Sequence, residues 1–121
     1  MKEVRPVTIL CDIDGTLIHH HGNAHKQLMS DPVLLPGVKE KFEQWDRKGY
    51  NIILITGRRE SWRKVTEKQL QSVGIFYDQL IMGVGGGPRV LINDLKPNSD
   101  SPTAIGVVLE RNEGFEKLEV V

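Results

Sequence analysis

A single cysteine, Cys11, is present in the 121 residues, so no internal disulfide can brace the chain and its stability has to come from a packed core. Aromatic residues make up only 6% of the sequence, which leaves aliphatic side chains to fill most of that core. Charge of one sign is not in excess: 16 Lys and Arg balance 16 Asp and Glu. That balance gives no overall basic footprint of the kind that draws a protein to polynucleotide or anionic membrane, so nucleic acid is expected to be an unlikely partner. No apolar stretch is long enough to span a bilayer and no signal-peptide pattern opens the chain, so no membrane association and a cytoplasmic location are expected. Hydrophobic content of 39% and charged content of 26% are those of an ordinary globular domain, and the length suits one domain over residues 1–121.

What is present is an alternation of short apolar runs and helical spacings. Pro6 to Cys11 and Ile52 to Ile55 read as buried strands. Val38, Phe42 and Trp45 recur at the three-to-four spacing of an amphipathic helix over Val38 to Lys48, opened by Pro36-Gly37 and closed by Gly49. A second helix is expected from about Trp62 to Val73, with Ser61 as N-cap, an apolar face of Trp62, Val65, Leu70 and Val73, and Gly74 as terminator. Further strands are expected at Leu80 to Met82, Val90 to Asn93 and Ile105 to Leu109, with an edge strand at Leu118 to Val121. The βαβ rhythm predicts an α/β fold, a three-layer α/β/α arrangement around a mostly parallel, Rossmann-like sheet.

The run Thr8-Ile9-Leu10-Cys11-Asp12-Ile13-Asp14-Gly15-Thr16-Leu17 puts two carboxylates where the first apolar strand stops. Open α/β sheets bind ligands beyond the carboxyl ends of their strands, and Gly15 allows the turn that lets both acids face one cleft. Such a pair suits covalent phosphoryl transfer, with Asp12 as nucleophile and Asp14 as general acid and base. A divalent cation, Mg²⁺, is expected to hold hard anionic oxygens beside an anionic phosphate.

Asp-x-Asp-Gly-Thr resembles the first motif of the haloacid dehalogenase-like hydrolases, a superfamily dominated by Mg²⁺-dependent phosphatases. Ile52-Ile53-Leu54-Ile55-Thr56-Gly57-Arg58 is similar to the second motif, and Val90-Leu91-Ile92-Asn93-Asp94 to the fourth, so the resemblance runs over roughly residues 7 to 110. It implies that Thr56, with Gly57 and Arg58, binds the phosphoryl group, and that Asp12, Asp14, Asp94 and Asn93 hold the metal. The third motif, a Lys or Arg that neutralises the phosphate, has no clear match. Arg58, Arg59, Arg63, Lys64, Lys68 and Arg89 lie between the second and fourth motifs; Arg89 is the first choice and Lys96 its rival. Residues 19–35, where the family inserts cap domains, are too few for a full cap. A homo-oligomer that covers the open cleft is compatible with this.

Other features carry bland readings. His19, His20, His21 and His25 include ligand-type imidazoles, but no cysteine joins them, so a solvated loop is favoured over a transition-metal site. Gly83-Val84-Gly85-Gly86-Gly87-Pro88 lacks the last glycine of a dinucleotide loop and precedes a strand rather than a helix. Cys11, within an apolar strand and next to a carboxylate, is expected to be a buried, inert thiol. The main functional expectation is a small phosphatase that hydrolyses a phosphomonoester through an aspartyl-phosphate. A phosphorylated small molecule, such as a sugar phosphate of polysaccharide biosynthesis, is its expected substrate. The alternatives are a nucleic-acid 3′-end phosphatase and a non-catalytic Mg²⁺- and phosphate-binding regulatory domain; transfer to water or to another acceptor is left open.

Overall fold

The computed structural model describes residues 5–120. Strand β1 (Thr8–Asp12) is followed by helix α1 (Ala24–Met29), helix α2 (Val38–Arg47), strand β2 (Asn51–Ile55), a 3₁₀ turn (Glu60–Trp62), helix α3 (Arg63–Ser72) and strand β3 (Gln79–Ile81). The strands form one parallel sheet in the order β1-β2-β3. Its register pairs Asp12 with Ile55, so the tips carrying the acidic motif and Thr56 emerge side by side. Parallel strands need crossovers, and the two in this sheet run through α2 and α3.

Periodicity in α2 does what it predicts. Val38, Phe42 and Trp45 are buried, and the Phe42 ring lies 5.2 Å from Trp45 and 6.5 Å from Phe115, so a C-terminal residue completes the aromatic centre. Gly37 caps α2 in the left-handed region at φ 78°, and a Cβ there would stand 2.8 Å from Glu116 N; the phenylalanine segment can dock only because this position is bare. Ile13 and Leu17, just beyond β1, are fully buried and fix the acidic turn to the core.

Several expectations fail. Val90 to Asn93 and Ile105 to Leu109 form no strand; Val90 is 82% exposed, Ile92 89% and Val108 98%. An apolar run becomes a strand only through a partner, and these segments pair with none, so β1 has β2 on one side and no strand on the other among the described residues. Leu118 to Val120 is not a strand either, and Val121, the last residue of that expected edge, lies outside the described residues. Ser61 does not cap α3: the chain enters through the 3₁₀ turn and Trp62 takes the cap position without a side-chain hydrogen bond. The buried face of α3 is Thr66, Gln69 and Leu70 rather than an apolar stripe, because its polar members have partners at the site.

Candidate active site

Past β1, the chain turns tightly: Leu17 N donates to Ile13 O at 2.8 Å and Gly15, at φ 84°, donates to Ile18 O at 2.8 Å. This turn presents Asp12, Asp14, Gly15 and Thr16 to a cleft of about 200 Å³ whose other walls are Leu109 and Arg111. Asp12 is partly exposed. Its Oδ2 accepts the Thr16 hydroxyl at 3.1 Å and its Oδ1 accepts Arg89 Nη1 at 3.0 Å.

Arg89 reaches Asp12 because the glycine loop folds back on the tip of β2. Gly83 N donates to Arg58 O at 2.7 Å and Val84 N to Thr56 O at 2.9 Å. A Cβ at Gly57 would meet the Gly85 backbone at 3.4 Å, so the bare residue lets the loop lie close. Gly85 O then accepts Arg89 Nη2 at 2.8 Å and aims the other nitrogen at the carboxylate. Of the two basic residues weighed for the third motif, Arg89 faces Asp12, whereas Lys96 hydrogen-bonds Asp94.

Asp14 is held more tightly. Arg58 donates to it twice, Nε to Oδ2 at 2.9 Å and Nη2 to Oδ1 at 2.8 Å, and Gln27 Nε2 adds a third bond to Oδ1 at 2.8 Å. The guanidinium is not spare for phosphate: its Nη1 donates to Thr66 Oγ1 at 2.9 Å and Gln69 Oε1 at 2.7 Å, and its side chain is 3% exposed. In place of the phosphate-binding role expected for it, Arg58 is a buried clamp on Asp14, because four of its five N–H donors are engaged inside the fold and its side chain is desolvated. Thr56 is buried at the tip of β2, its Oγ1 accepting from Arg58 N at 3.1 Å.

Asp94 and Asn93 do not join the pair. The fourth-motif strand that would carry them is not formed; Asp94 is exposed, and the Lys96 ammonium bonded to it lowers its carboxyl below the usual range. Asn93 turns its amide to Thr103 O at 3.1 Å. Among the described residues no group of three or more His, Cys, Asp or Glu could hold a metal ion. Asp14 is expected to offer a metal its backbone carbonyl, but with the Asp12 carboxylate engaged by Arg89 and Asp94 elsewhere the donor set does not fit a Mg²⁺ site as arranged. The histidines are tied into the fold: His20 N donates to Asn112 Oδ1 at 2.7 Å, His21 N to Gln27 Oε1 at 2.7 Å, and the His19 and His21 rings meet edge-on at 4.9 Å. His25 is exposed on α1. Cys11 is buried, and desolvation with the neighbouring Asp12 charge pushes its thiol far up, as an inert cysteine requires.

The model of the polynucleotide kinase PNKP phosphatase domain matches residues 6–89, the stretch that contains Asp12, Asp14, Thr56, Arg58 and Arg89. The chain belongs to this family of haloacid dehalogenase-like phosphatases. The family is one of phosphoric monoester hydrolases. Among solved structures it is similar to a chain of the Pnkp1/Rnl/Hen1 complex, with 32% identity, a TM-score of 0.57 and coverage of 64% of this chain and 27% of that one. A chain of the Pnkp1/Rnl/Hen1 RNA repair complex matches at 32% identity and a TM-score of 0.56, over 64% of this chain and 25% of that one. This chain thus spans about a quarter of the length of those it matches. A comparison with curated proteins gives no match.

These findings overturn the expectation that nucleic acid is an unlikely partner. Net charge is a global sum, and at the cleft the balance is local: Arg89 and Arg111 border the two acids. Arg111, Gln27 and Gln69 were not anticipated. Arg111 lies outside the family match and comes to the cleft because Asn112 N donates to Gly15 O at 2.8 Å; no pattern near Arg111 in the sequence signals that contact. Among the described residues, no helix is long and apolar enough to cross a membrane.

Proposed function

We propose that this protein removes a terminal phosphate from a nucleic-acid strand, with a 3′-phosphorylated RNA end as its substrate, and that hydrolysis passes through an aspartyl-phosphate on Asp12. One observation carries the reading: the phosphatase-domain model of a polynucleotide kinase matches the stretch that contributes Asp12, Asp14, Thr56 and Arg89 to the site. Support also comes from the shallow, uncovered form of that cleft, since α1 is only six residues long and a strand end needs room that a sealed pocket denies.

In the first half-reaction a carboxylate oxygen of Asp12 attacks phosphorus, the bond from phosphorus to the sugar oxygen breaks, and Asp14 gives that oxygen its proton. In the second, Asp14 takes a proton from water, whose oxygen attacks phosphorus and releases inorganic phosphate and free Asp12. Arg89 and Arg111, with Thr56 and Gly57 at the neighbouring tip, offset the charge on the phosphoryl oxygens, the main electrostatic demand of this chemistry. Mg²⁺ remains the cofactor that the family implies. Asp12 and Asp14 are the ligands already together, and Asp94 with Asn93 would have to be brought to them. A three-layer α/β/α arrangement belongs to the same reading, supported by the alternation of parallel strands and helices.

The test is phosphate release, with Mg²⁺ present, from a 3′-phosphorylated RNA oligomer and from a sugar phosphate at equal concentration. The oligomer is expected to react well ahead of the sugar phosphate. A faster sugar phosphate would reject the assignment of substrate and leave the phosphatase chemistry standing.

A further inference from the structure

Four residues close a ring around the proton donor. Asp14 accepts from Arg58 and from Gln27; Arg58 Nη1 donates to Gln69 Oε1 at 2.7 Å; and Gln69 Nε2 returns to Gln27 O at 3.0 Å. Gln27 belongs to α1, in the insertion between the first motif and α2, yet it is only 6% exposed. Every polar atom of its side chain is used: Nε2 donates to Asp14 Oδ1 and to His19 O at 2.9 Å, and Oε1 accepts His21 N at 2.7 Å. A buried glutamine with all three bonds satisfied is fixed in one rotamer and one flip state, because inverting its amide would set oxygen against carboxylate.

The acceptor count on Asp14 gives this a chemical consequence. A carboxylate offers two in-plane acceptor sites on each oxygen. On Oδ1 both are filled, by Gln27 Nε2 and Arg58 Nη2, whereas Oδ2 receives only Arg58 Nε among the described residues. One site is left, and it lies on Oδ2. We infer that Gln27 is a positioning residue for proton transfer: by filling Oδ1 it assigns the travelling proton to Oδ2, and so makes the short insertion helix part of the active site. This rests on the reading of Asp14 as acid and base. Without Gln27 the proton has two oxygens to occupy, and Asp14 can rock about the Arg58 fork.

A proton matters only where the leaving oxygen is basic, so the readout is leaving-group dependence. First-turnover release of the leaving group, before hydrolysis of the aspartyl-phosphate, is measured for glycerol phosphate, whose alkoxide leaves poorly, and for 2,4-dinitrophenyl phosphate, whose phenolate departs without a proton. Gln27→Leu is expected to slow glycerol phosphate ~10-fold or more, a part of the ~10²- to 10⁴-fold that general acid catalysis supplies, with little change for the dinitrophenyl ester. Gln27→Glu keeps the shape and the acceptor for His21 N and replaces the donor by oxygen; it is expected to show the same selective loss even where the leucine variant folds poorly. Equal slowing of both esters, or no slowing of either, in the glutamate variant would overturn the positioning role. Asp14→Asn is run beside them. If it leaves glycerol phosphate turnover intact, the acid assignment of Asp14 itself fails, an outcome distinct from a failure at Gln27 alone.

Discussion

Replacing Arg58 by Met keeps an unbranched apolar stem and removes the charged guanidinium from the centre of the site. The guanidinium makes four hydrogen bonds, two to Asp14 and one each to Thr66 and Gln69, and its side chain is 3% exposed against 18% for Asp14. Taking away one partner of a buried pair costs about 3–5 kcal/mol, because the other charge is left without compensation. Some water reaches Asp14, so the lower end applies. Thr66 can turn its hydroxyl elsewhere, while the Gln69 carbonyl loses its donor. A loss of ~3 kcal/mol is a large share of the ~5–15 kcal/mol that holds a domain together, and with a urea slope of ~1.5 kcal/mol/M it lowers the unfolding midpoint by ~2 M. Circular dichroism in a urea titration measures this. Adding Asp14→Asn to Arg58→Met removes the stranded charge and is expected to recover a good part of the loss, as coupled neighbours do. A midpoint within ~0.3 M of wild type for Arg58→Met, or no recovery in the double variant, would refute the view that the clamp is a buried ion pair.

Three further outcomes follow from the packing. Phe42→Ala, in the aromatic centre with Trp45 and Phe115, is expected to cost about 3–5 kcal/mol by denaturant titration, and a cost below ~1 kcal/mol would mean that the centre is loosely packed. Gly37→Ala adds a methyl group 2.8 Å from Glu116 N at a positive φ, so destabilisation of at least ~1 kcal/mol is expected, with faster hydrogen exchange at Phe115 N, which bonds Pro36 O at 2.8 Å. Because burial and Asp12 both raise the Cys11 thiol, iodoacetamide at pH 8 is expected to leave the native protein unmodified and to alkylate it in urea; rapid native alkylation would contradict that environment.

The elements that build the cleft were readable because each is announced locally. Asp12 and Asp14 follow an apolar run, Thr56 follows another, and the spacing of Val38, Phe42 and Trp45 marks a helix face. What was not readable depends on distant partners. Arg58 looks like a phosphate ligand from its neighbours Thr56 and Gly57, and only Asp14 with Thr66 and Gln69, one and two helical turns into α3, shows that most of its donors are taken. Gln27 and Arg111 carry no local sign of their contacts with the acidic turn. The apolar runs at Val90 to Asn93 and Ile105 to Leu109 have the composition of strands and lack the pairing that makes one, so Asp94 is not carried to the cleft. Formal charge misled about nucleic acid because a zero sum says nothing of where Arg89 and Arg111 sit.

Transfer of the phosphoryl group to Asp12 leaves a mark that can be read at that residue. Protein quenched during turnover of a 3′-phosphorylated RNA oligomer with Mg²⁺ is treated with borohydride, which reduces an acyl phosphate to an alcohol, and the peptide spanning Thr8 to Leu17 is sequenced by mass spectrometry. Homoserine is expected at position 12, with aspartate retained at position 14 and no reduction in Asp12→Asn. Phosphate released at full rate with Asp12 unreduced, or by the Asp12→Asn variant at the wild-type rate, would contradict it.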